Sequence, residues 1–454
     1  MADLPARCVI GLGGSGMATV QFLAERQHEL LAWDEGKPCP HHTPLAAMAG
    51  VTSRFAPLHG PTLAQFREIY LSPGVPRSHP AIQHAIAAGV PVINDIELLF
   101  RHSEQAAFVG ITGTNGKSTV TTLVGLMLAR LPGTTRTGGN LGDAALSLWQ
   151  ADVERYVLEL SSFQLESIEG FHPEVAALLN LSDDHLDRYN GLQGYLRAKA
   201  RIFQRQTQRD RAVINADDPA LQPVRDILGH PSAPRVVPFS TQQVIKGGVY
   251  VQDGQLLDHR QMTQPAIPIM AIAEMRIQGR CNHANAAAAA AIALEAGASH
   301  ADVRQVLRDF PGLPHRMAWV RRMDGVTYIN DSKGTNVGAV LEAIPSFPEG
   351  VVLIAGGKAK KTDFSPLIPL LQKYVRHLIL IGTATEEMAA MFQAVVPLQR
   401  ATSMEDAVQI AQQVAQPGET VLLSPACASF DMFLNFEDRG RRFCQAVEAL
   451  VAQA

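Results

Sequence analysis

The sequence lacks the features that mark several specialised classes of protein. Its 39 lysines and arginines against 43 acidic residues leave a formal net charge of −4, so it has no basic excess that would bind nucleic acid or a membrane surface. No apolar run approaches the roughly 18 residues that span a bilayer, because the longest candidate, residues 286–294, ends at Glu295. We therefore expect neither nucleic-acid partners nor membrane insertion.

Cysteines and targeting signals are also scarce. The chain has five cysteines, and none of them forms a Cys-X-X-Cys pair, which favours reduced thiols over disulfides or a structural metal. The residues after Met1 show no basic segment followed by an apolar one, the pattern of a secretory signal. We expect a cytoplasmic protein.

Strand-like and helix-like segments alternate along the chain, which predicts an α/β fold with parallel sheets. At roughly 150 residues per domain, the 454 residues suggest about three domains. We predict a Rossmann-like domain over residues 1–98, a central P-loop ATPase-like parallel-sheet domain over 99–312 and a Rossmann-like C-terminal domain over 313–454. Strands are predicted near residues 8–11, 31–33, 69–71, 90–93, 108–111, 156–160, 174–181, 212–215, 326–329, 351–355, 377–381 and 420–423.

The strongest motif is GTNGKST at residues 113–119, between a predicted strand and an amphipathic helix. Glycines in such a turn let backbone N–H groups surround phosphate oxygens at a helix N-terminus. Lys117 would then reach the β- and γ-phosphates, and Ser118 would take a Mg²⁺ position. Ile111 stands where a strict P-loop motif has glycine. The alternative is a glycine-rich turn with a surface lysine, but the order of strand, loop and helix favours nucleotide binding.

Acidic residues follow two other predicted strands. Glu159 ends one strand. The loop after another strand contains Asp183, Asp184, His185 and Asp187. Each of these acids alone would be interpreted as a solvated loop carboxylate. Because the carboxyl ends of parallel strands meet at one sheet edge, together they predict a metal site there.

Lys199 falls on the apolar face of a predicted helix, among residues such as Tyr195, Leu196 and Ile202. One interpretation is a lysine whose amine extends to the surface. The other is a buried amine, which desolvation shifts toward the neutral form. A neutral amine can add CO₂ to form a carbamate, and this would turn a cation into an oxygen ligand for a second Mg²⁺.

The first block carries a second glycine-rich motif, GLGGSG at residues 11–16, with Asp34 at the end of the next predicted strand. This pattern is typical of dinucleotide-binding folds, so an NAD-dependent oxidoreductase is a rival hypothesis. The phosphate loop at 113–119 has no place in a simple dehydrogenase, which argues against that hypothesis. The loop at Ser72 and Gly74 is either part of the same ligand site or a plain type II turn.

Several motifs together resemble the Mur ligases, the ATP-dependent amide ligases of peptidoglycan precursor synthesis in cell wall biogenesis. They are GTNGKST at 113–119, ELSSFQ at 159–164, NLSDDH at 180–185, and Lys199. Residues 315–316, NDSKGTN at 330–336 and LSPACASFD at 423–431 are most similar to the branch of the family that adds D-glutamate. The resemblance runs from Gly11 to about Gly440.

The resemblance implies a reaction in which ATP phosphorylates the carboxylate of UDP-N-acetylmuramoyl-L-alanine. The amine of D-glutamate then attacks the acyl phosphate, and a tetrahedral intermediate collapses to an amide and phosphate, with ADP as the other product. It also implies ATP and two Mg²⁺ ions as cofactors, a UDP-binding first domain, an amino-acid-binding third domain, and a monomer.

The resemblance further implies roles for individual residues. The implied catalytic residues are Lys117, His185 and Lys199. The implied metal ligands are Ser118, Glu159, His185 and Lys199 as its carbamate. The residues implied to bind ATP are Gly113, Thr114, Asn115, Gly116, Lys117, Ser118, Thr119, Asn282, Asn285, Arg316 and Asp331. Those implied for the UDP substrate are Gly14, Ser15, Asp34, Ser72, Gly74 and Asn140, and those for D-glutamate are Lys333, Thr335, Lys360, Ser429, Phe430 and Phe436.

The chain departs from the family pattern at a few positions. Cys281 stands where the family usually has histidine, Lys358 where an acidic or variable residue is expected, and Gly334 lies between Lys333 and Thr335. Lys361 competes with Lys360 for the amino-acid-binding position. The remaining alternatives are another Mur ligase, an enzyme similar to folylpolyglutamate synthase, and a non-catalytic nucleotide-binding regulator.

Overall fold

The computed structural model describes residues 6–38, 40–184, 188–359 and 362–451. These residues form three β-sheets with helices between the strands. The chain divides into two compact units. The first unit comprises Met1–Leu181, Gln193–Met270 and Ala286–Val306, and the second comprises Ser182–Leu192, Ala271–Asn285 and Leu307–Ala454.

The first sheet lies in the first unit and has five parallel strands in the order β3-β2-β1-β4-β5. Its core consists of apolar residues that recur along the strands and pack against the helices, among them Cys8, Ile10 and Trp33. The strands are β1 (Arg7–Ile10), β2 (Leu30–Asp34), β3 (Val51–Phe55), β4 (Glu68–Leu71) and β5 (Val92–Ile93). The helices are α1 (Gly14–Ala24), α2 (Gly60–Leu63), α3 (Pro80–Ala87) and α4 (Asp95–Arg101).

The second sheet has nine strands in the order β14-β13-β12-β11-β10-β9-β6-β8-β7. The six strands from β11 to β7 in this order are parallel, and β12 and β13 pair as an antiparallel hairpin. The strands are β6 (Ala107–Thr112), β7 (Thr134–Gly139), β8 (Val153–Glu159), β9 (Val175–Leu178), β10 (Arg211–Asn215), β11 (Arg235–Ser240), β12 (Val249–Gln252), β13 (Gln255–Asp258) and β14 (Ile267–Ala271). The helices are α5 (Lys117–Leu128), α6 (Ser162–Leu165), α7 (Gly191–Ala200), α8 (Gln222–Leu228), α9 (Arg280–Glu295) and α10 (His300–Asp309).

The third sheet lies in the second unit, in the order β15-β16-β20-β17-β18-β19, and β15 alone among its described strands is antiparallel to its neighbour. Apolar clusters cover both of its faces, as the continuous apolar runs of parallel strands require. The strands are β15 (Ala318–Met323), β16 (Val326–Asn330), β17 (Val351–Gly356), β18 (Val375–Ile381), β19 (Leu398–Arg400) and β20 (Thr420–Leu423). The helices are α11 (Val337–Ala343), α12 (Ile368–Tyr374), α13 (Thr385–Phe392), α14 (Met404–Val414) and α15 (Phe436–Glu448).

The fold confirms the α/β class and each of the predicted strands, with ends that differ by a few residues. Eight of the described strands have no individually predicted counterpart: β3, β7, β11, β12, β13, β14, β15 and β19. The apolar run at residues 286–294 is the buried part of α9. Within the described ranges, no helix combines the length and the apolar character that crossing a bilayer requires.

Candidate functional site: the phosphate loop and the loops beside it

The phosphate loop, residues 113–116, connects β6 to α5. Gly116 has φ of +79° and caps the N-terminus of α5, a left-handed conformation that favours glycine. A Cβ atom on Gly113, whose φ is +156°, would lie 3.0 Å from the Cβ atom of Leu179. Lys117 opens α5, and its Nζ donates a hydrogen bond to the backbone oxygen of Thr114 at 2.7 Å. The loop thus has the strand, turn and helix N-terminus that suit a bound phosphate.

Asn180 holds this loop from the neighbouring strand. It follows β9, and its Oδ1 accepts hydrogen bonds from the backbone N–H groups of Thr114 at 3.1 Å and Asn115 at 2.8 Å. Its Nδ2 donates to the backbone oxygen of Asn115 at 3.1 Å. Asn180 is the first residue of the NLSDDH motif at 180–185, but no role was predicted for it. Its position directly after β9, which pairs with β6, is the feature of the sequence that could have indicated a contact with the phosphate loop.

Ser118 and Glu159 meet at the carboxyl edge of the second sheet. The hydroxyl of Ser118 donates to Oε2 of Glu159 at 2.6 Å, and both residues are buried. Asn140, which follows β7, donates from Nδ2 to Oε1 of Glu159 at 2.9 Å. Four neighbouring strands therefore end at one edge of the sheet with a residue or loop of the site. These are β9 with Asn180, β6 with the phosphate loop, β8 with Glu159 and β7 with Asn140.

Lys199 is buried on α7, with only 1% of its surface exposed. Its Nζ donates to the backbone oxygen of Gly113 at 2.7 Å and lies 4.5 Å from the centre of the Tyr195 ring. The prediction of an apolar helix face is confirmed, and the alternative in which the amine extends to the surface is wrong. The lysine instead contacts the first residue of the phosphate loop.

The residues that fit a metal ion are hard oxygen donors. Ser118 and Glu159 supply a hydroxyl and a carboxylate, the oxygen ligands that Mg²⁺ prefers. No group of three histidine, cysteine, aspartate or glutamate residues is close enough to hold a metal within the described part of the chain. His185 and Asp187 lie outside the described residues. Asp184 contacts Asn336, whose Nδ2 is 3.4 Å from Asp184 Oδ2.

The loop after β1 carries the second glycine-rich motif. Gly11 has φ of +83°, and a Cβ atom on Gly16 would lie 1.8 Å from the backbone oxygen of Gly11. The carboxylate of Asp34 accepts hydrogen bonds from the N–H groups of Leu12 and Gly36, both at 2.7 Å. The glycines therefore allow the tight packing of loop against helix, and Asp34 stabilises that loop directly.

Gly14 and Ser15 open helix α1, which follows this loop. The loop after β4 is a turn closed by the N–H of Val75 and the oxygen of Ser72 at 3.0 Å. Gly74 does not take the positive φ that a type II turn requires at this position. The interpretation of residues 72–74 as a type II turn is therefore wrong. Burial raises the pKa of the Asp95 carboxyl to about 6, although the side chains of Ser15 and Gln164 oppose this shift.

Glu97 joins the first sheet to the second within the first unit. It is 1% exposed and lies on α4. Its carboxylate accepts hydrogen bonds from three consecutive backbone N–H groups, those of Glu169, Gly170 and Phe171, at 2.9 to 3.0 Å. Arg101 also donates to Glu97 at 3.0 Å. No local sequence pattern indicates this contact, because the partners are backbone groups more than 70 positions away.

Two loops of the third sheet meet at Asp331. Asp331 follows β16, Ser424 follows the adjacent strand β20, and the Ser424 hydroxyl donates to Asp331 Oδ2 at 2.8 Å. The N–H of Met317 lies 3.2 Å from Asp331 Oδ1. Burial raises the pKa of Asp331 to about 7, although the Ser424 hydroxyl, the Met317 N–H and the charge of Arg316 oppose this shift.

Apart from Lys360, the residues predicted around D-glutamate lie on the same two loops and on α15. The Lys333 Nζ is 3.8 Å from the centre of the Phe436 ring, and the N–H of Thr335 donates to the backbone oxygen of Lys333. Ser429 is buried, whereas Phe430 is 69% exposed. Lys360 and Lys361 lie outside the described residues, and the segment before them pairs with the second loop through a bridge between Lys358 and Ala428.

The two asparagines predicted near adenine lie one turn apart on α9. Nδ2 of Asn285 is 3.4 Å from Oδ1 of Asn282, and Asn282 donates to the backbone oxygen of Gln278 at 3.0 Å. Cys281, the departure from the family pattern, donates from Sγ to the backbone oxygen of Glu342 at 3.3 Å. Burial raises the pKa of the Cys281 thiol well above its usual value, so we expect it to remain a thiol.

Three family models match the chain in sequence order. They are the Mur ligase MurD-like N-terminal domain over residues 6–94, the Mur ligase middle domain over 111–293 and the Mur ligase glutamate ligase domain over 315–427. The chain is 42% identical over 447 residues to UDP-N-acetylmuramoylalanine–D-glutamate ligase of Trichlorobacter lovleyi, covering 97% of this chain and 98% of that protein. It is 41% identical over 455 residues to the protein of that name from Pseudomonas putida, covering 98% and 97%.

Solved structures share the fold at lower sequence identity. A pseudomurein peptide ligase type C from Methanothermus fervidus has a TM-score of 0.59 at 16% identity and covers 98% of this chain and 99% of its own. A structure of MurF from Acinetobacter baumannii has a TM-score of 0.62 at 17% identity and covers 96% and 90%. At this level of identity, the comparison establishes the architecture.

Proposed function

The chain belongs to the Mur ligase family, and we propose that it joins D-glutamate to UDP-N-acetylmuramoyl-L-alanine with conversion of ATP to ADP and phosphate. The observation that supports this amino acid above all is the likeness to D-glutamate ligases, which is 41–42% identity over 97–98% of the chain. The aligned region includes the loops after β16 and β20 of the third sheet, which carry most of the residues proposed to bind D-glutamate.

The reaction has two steps on bound substrates. An oxygen of the L-alanine carboxylate attacks the γ-phosphorus of ATP, and ADP leaves with the electrons of the broken P–O bond. The amine of D-glutamate then attacks the acyl carbon, loses a proton, and displaces phosphate. No covalent bond to the protein forms, so its residues act by positioning groups and compensating charge.

The phosphate loop supports the nucleotide half of this proposal. Members of the Mur ligase family use ATP together with Mg²⁺. We assign residues 113–119 to the ATP phosphates, with Lys117 compensating negative charge at the transferred phosphate. Asn282, Asn285, Arg316 and Asp331 are assigned to the nucleotide by family likeness.

Ser118 and Glu159 are the described residues that would hold a Mg²⁺ ion, and their two hard oxygens fit that cation. When bound, Mg²⁺ supplies positive charge near the phosphate oxygens. We propose two ions, with His185 and the carbamate of Lys199 serving the second. The 2.7 Å contact between Lys199 Nζ and the Gly113 oxygen supports a role for Lys199 beside the phosphate loop.

The remaining assignments concern the two other substrates. We propose that Gly14, Ser15, Asp34, Ser72, Gly74 and Asn140 bind the UDP substrate. For D-glutamate we propose Lys333, Thr335, Lys360, Ser429, Phe430 and Phe436. Cations and hydroxyl groups in this set suit a dicarboxylate. The domain boundaries at residues 98 and 312, a monomeric state and a cytoplasmic location stay predictions.

A panel of amino acids tests the proposed function. Purified protein with ATP, Mg²⁺ and UDP-N-acetylmuramoyl-L-alanine should release phosphate fastest with D-glutamate, and much more slowly with L-glutamate, L-lysine or D-alanyl-D-alanine. A Lys117→Ala variant is the matched control for contaminating phosphatases and should release little phosphate. Equal release with the three amino acids and the dipeptide would contradict the assignment. NADH binding without ATP turnover would instead favour the dehydrogenase hypothesis.

A further inference from the structure

Arg439 is a buried cation near the loops proposed to bind D-glutamate. It lies in the first turn of α15 and is 1% exposed. Burial lowers its pKa to about 10, so the guanidinium stays protonated at neutral pH. A buried charge is costly unless it is fully hydrogen-bonded, and the contacts of Arg439 show what satisfies it.

The guanidinium bridges both loops. Nε of Arg439 donates to the Ser332 hydroxyl at 3.0 Å, and one terminal nitrogen donates to the Ser332 backbone oxygen at 2.8 Å. The other terminal nitrogen donates to the backbone oxygen of Cys427 at 3.0 Å. Ser332 belongs to the loop after β16, and Cys427 belongs to the loop after β20. One side chain therefore connects the two loops through three hydrogen bonds.

The same contacts reach the residues proposed to bind the amino acid. The hydroxyl of Ser332 also donates to the backbone oxygen of Phe436 at 2.8 Å. Lys333 is adjacent to Ser332, and its Nζ lies over the ring of Phe436. The N–H of Ala426, next to Cys427, donates to the oxygen of Gly334 at 2.9 Å. A shift of Arg439 would thus move Lys333, Phe436 and the second loop together.

We propose that Arg439 is a positioning residue for the amino-acid subsite, which holds the loops after β16 and β20 in the arrangement that binds D-glutamate. This inference rests on the proposed function. Arginine suits the task because its planar guanidinium presents donors in a fixed fork. Lysine has the same charge but lacks the fork, so it cannot replace all three contacts.

The test compares three variants with the wild-type protein. Arg439→Met removes the charge and the fork, Arg439→Lys keeps the charge, and Ser332→Ala removes one acceptor with little change of volume. Arg442→Met is the matched control, because Arg442 lies on the same helix and its side chain is 51% exposed. For each protein, KM is measured separately for D-glutamate, ATP and UDP-N-acetylmuramoyl-L-alanine, together with kcat and the melting temperature.

We expect KM for D-glutamate to rise about tenfold or more in Arg439→Met, since small displacements of binding groups have large effects. It should rise less in Arg439→Lys and Ser332→Ala, with KM for ATP within about twofold of wild type in both. Arg442→Met should behave as wild type. If Arg439→Met does not fold, the two milder variants decide the question.

An unchanged KM for D-glutamate in Arg439→Lys and Ser332→Ala would overturn the inference, as would equal increases in all three KM values. A lower melting temperature with no change in KM would show a purely structural role. The proposed function is judged separately, because its failure would appear as a wild-type protein without D-glutamate-dependent turnover.

Discussion

The Nζ atom of Lys199 lies 2.7 Å from the backbone oxygen of Gly113. This contact joins a buried lysine on α7 to the first residue of the phosphate loop. It places the amine at the edge of the second sheet that also carries Ser118 and Glu159. The chemical state of this amine is therefore the first property to test.

Two substitutions of Lys199 distinguish a carbamate from a plain cation. We expect Lys199→Ala and Lys199→Arg both to lower kcat by about 100-fold or more, because neither side chain can carry CO₂ as a ligand. Added acetate or formate should partly restore Lys199→Ala. Steady-state kinetics measures these effects, and ¹³C NMR with labelled bicarbonate should detect the carbamate in the wild-type protein. Near-normal activity of Lys199→Arg would show that the positive charge is what matters.

The pair formed by Ser118 and Glu159 predicts a change in Mg²⁺ dependence. Glu159→Gln removes a carboxylate from the proposed site, so the Mg²⁺ concentration for half-maximal activity should rise about tenfold or more. Glu154→Gln on the same strand is the matched control, since its side chain is 61% exposed. A titration of activity with MgCl₂ gives the comparison. The same Mg²⁺ dependence in both variants would remove Glu159 from the metal site.

Asp331 predicts a pH dependence near neutrality. Burial raises the pKa of its carboxyl to about 7, so kcat/KM should rise with pH around that value if the ionised form faces the nucleotide. Ser424 donates to this carboxylate and favours its charged form. Ser424→Ala should move the acid limb of the profile to higher pH by about one unit, equivalent to roughly 1.4 kcal/mol. An unshifted limb would mean that another group controls it.

The same carboxyl affects stability with a definite sign. The folded protein retains the proton of Asp331 up to about pH 7, whereas the unfolded chain releases it near 3.8. This group's contribution to the free energy of unfolding is therefore fully present below pH 3.8 and falls as pH rises toward 7. Asp331→Asn should weaken this decline, and thermal melts between pH 5 and 8 would reveal the difference.

Glu97 predicts a large effect on stability. Glu97→Ala leaves three backbone N–H groups without their acceptor and removes one carboxylate partner of Arg101, so the free energy of unfolding should fall by about 3 kcal/mol or more. Glu169→Ala is the control, because the Glu169 side chain is 43% exposed and should change stability by less than about 0.5 kcal/mol. Urea denaturation of the full chain measures both. Equal stability of the two variants would contradict the importance of this contact.

The sequence predicted those helices and strands whose buried residues recur with a regular spacing along the chain. Lys199 was placed on an apolar helix face by its neighbours at helical spacing, and the structure confirms that it is buried. Strand β7 was missed because its sequence, TTRTGG, has no apolar residue. Strand β3 was missed because three of its five residues are exposed, so no buried face marks it.

The residues for which no role was predicted share a different property. Asn180, Glu97 and Arg439 act on backbone groups: Asn180 on the phosphate loop, Glu97 on residues 169–171, and Arg439 on Ser332 and Cys427. Backbone N–H and C=O groups are present at almost every position, so no motif records which of them a side chain will reach. The tertiary structure alone decides such partners.

The contacts of Glu97 have a consequence for substrate choice. The loop after β1 and the phosphate loop belong to one compact unit. The first sheet carries the loop after β1, the second sheet carries the phosphate loop, and the hydrogen bonds of Glu97 connect the two sheets. Under the proposed function, the uridine diphosphate and the L-alanine carboxylate must reach these two places at once. The protein would then select its precursor by length, and a nucleotide-linked amino acid without the intervening sugar would be rejected as too short.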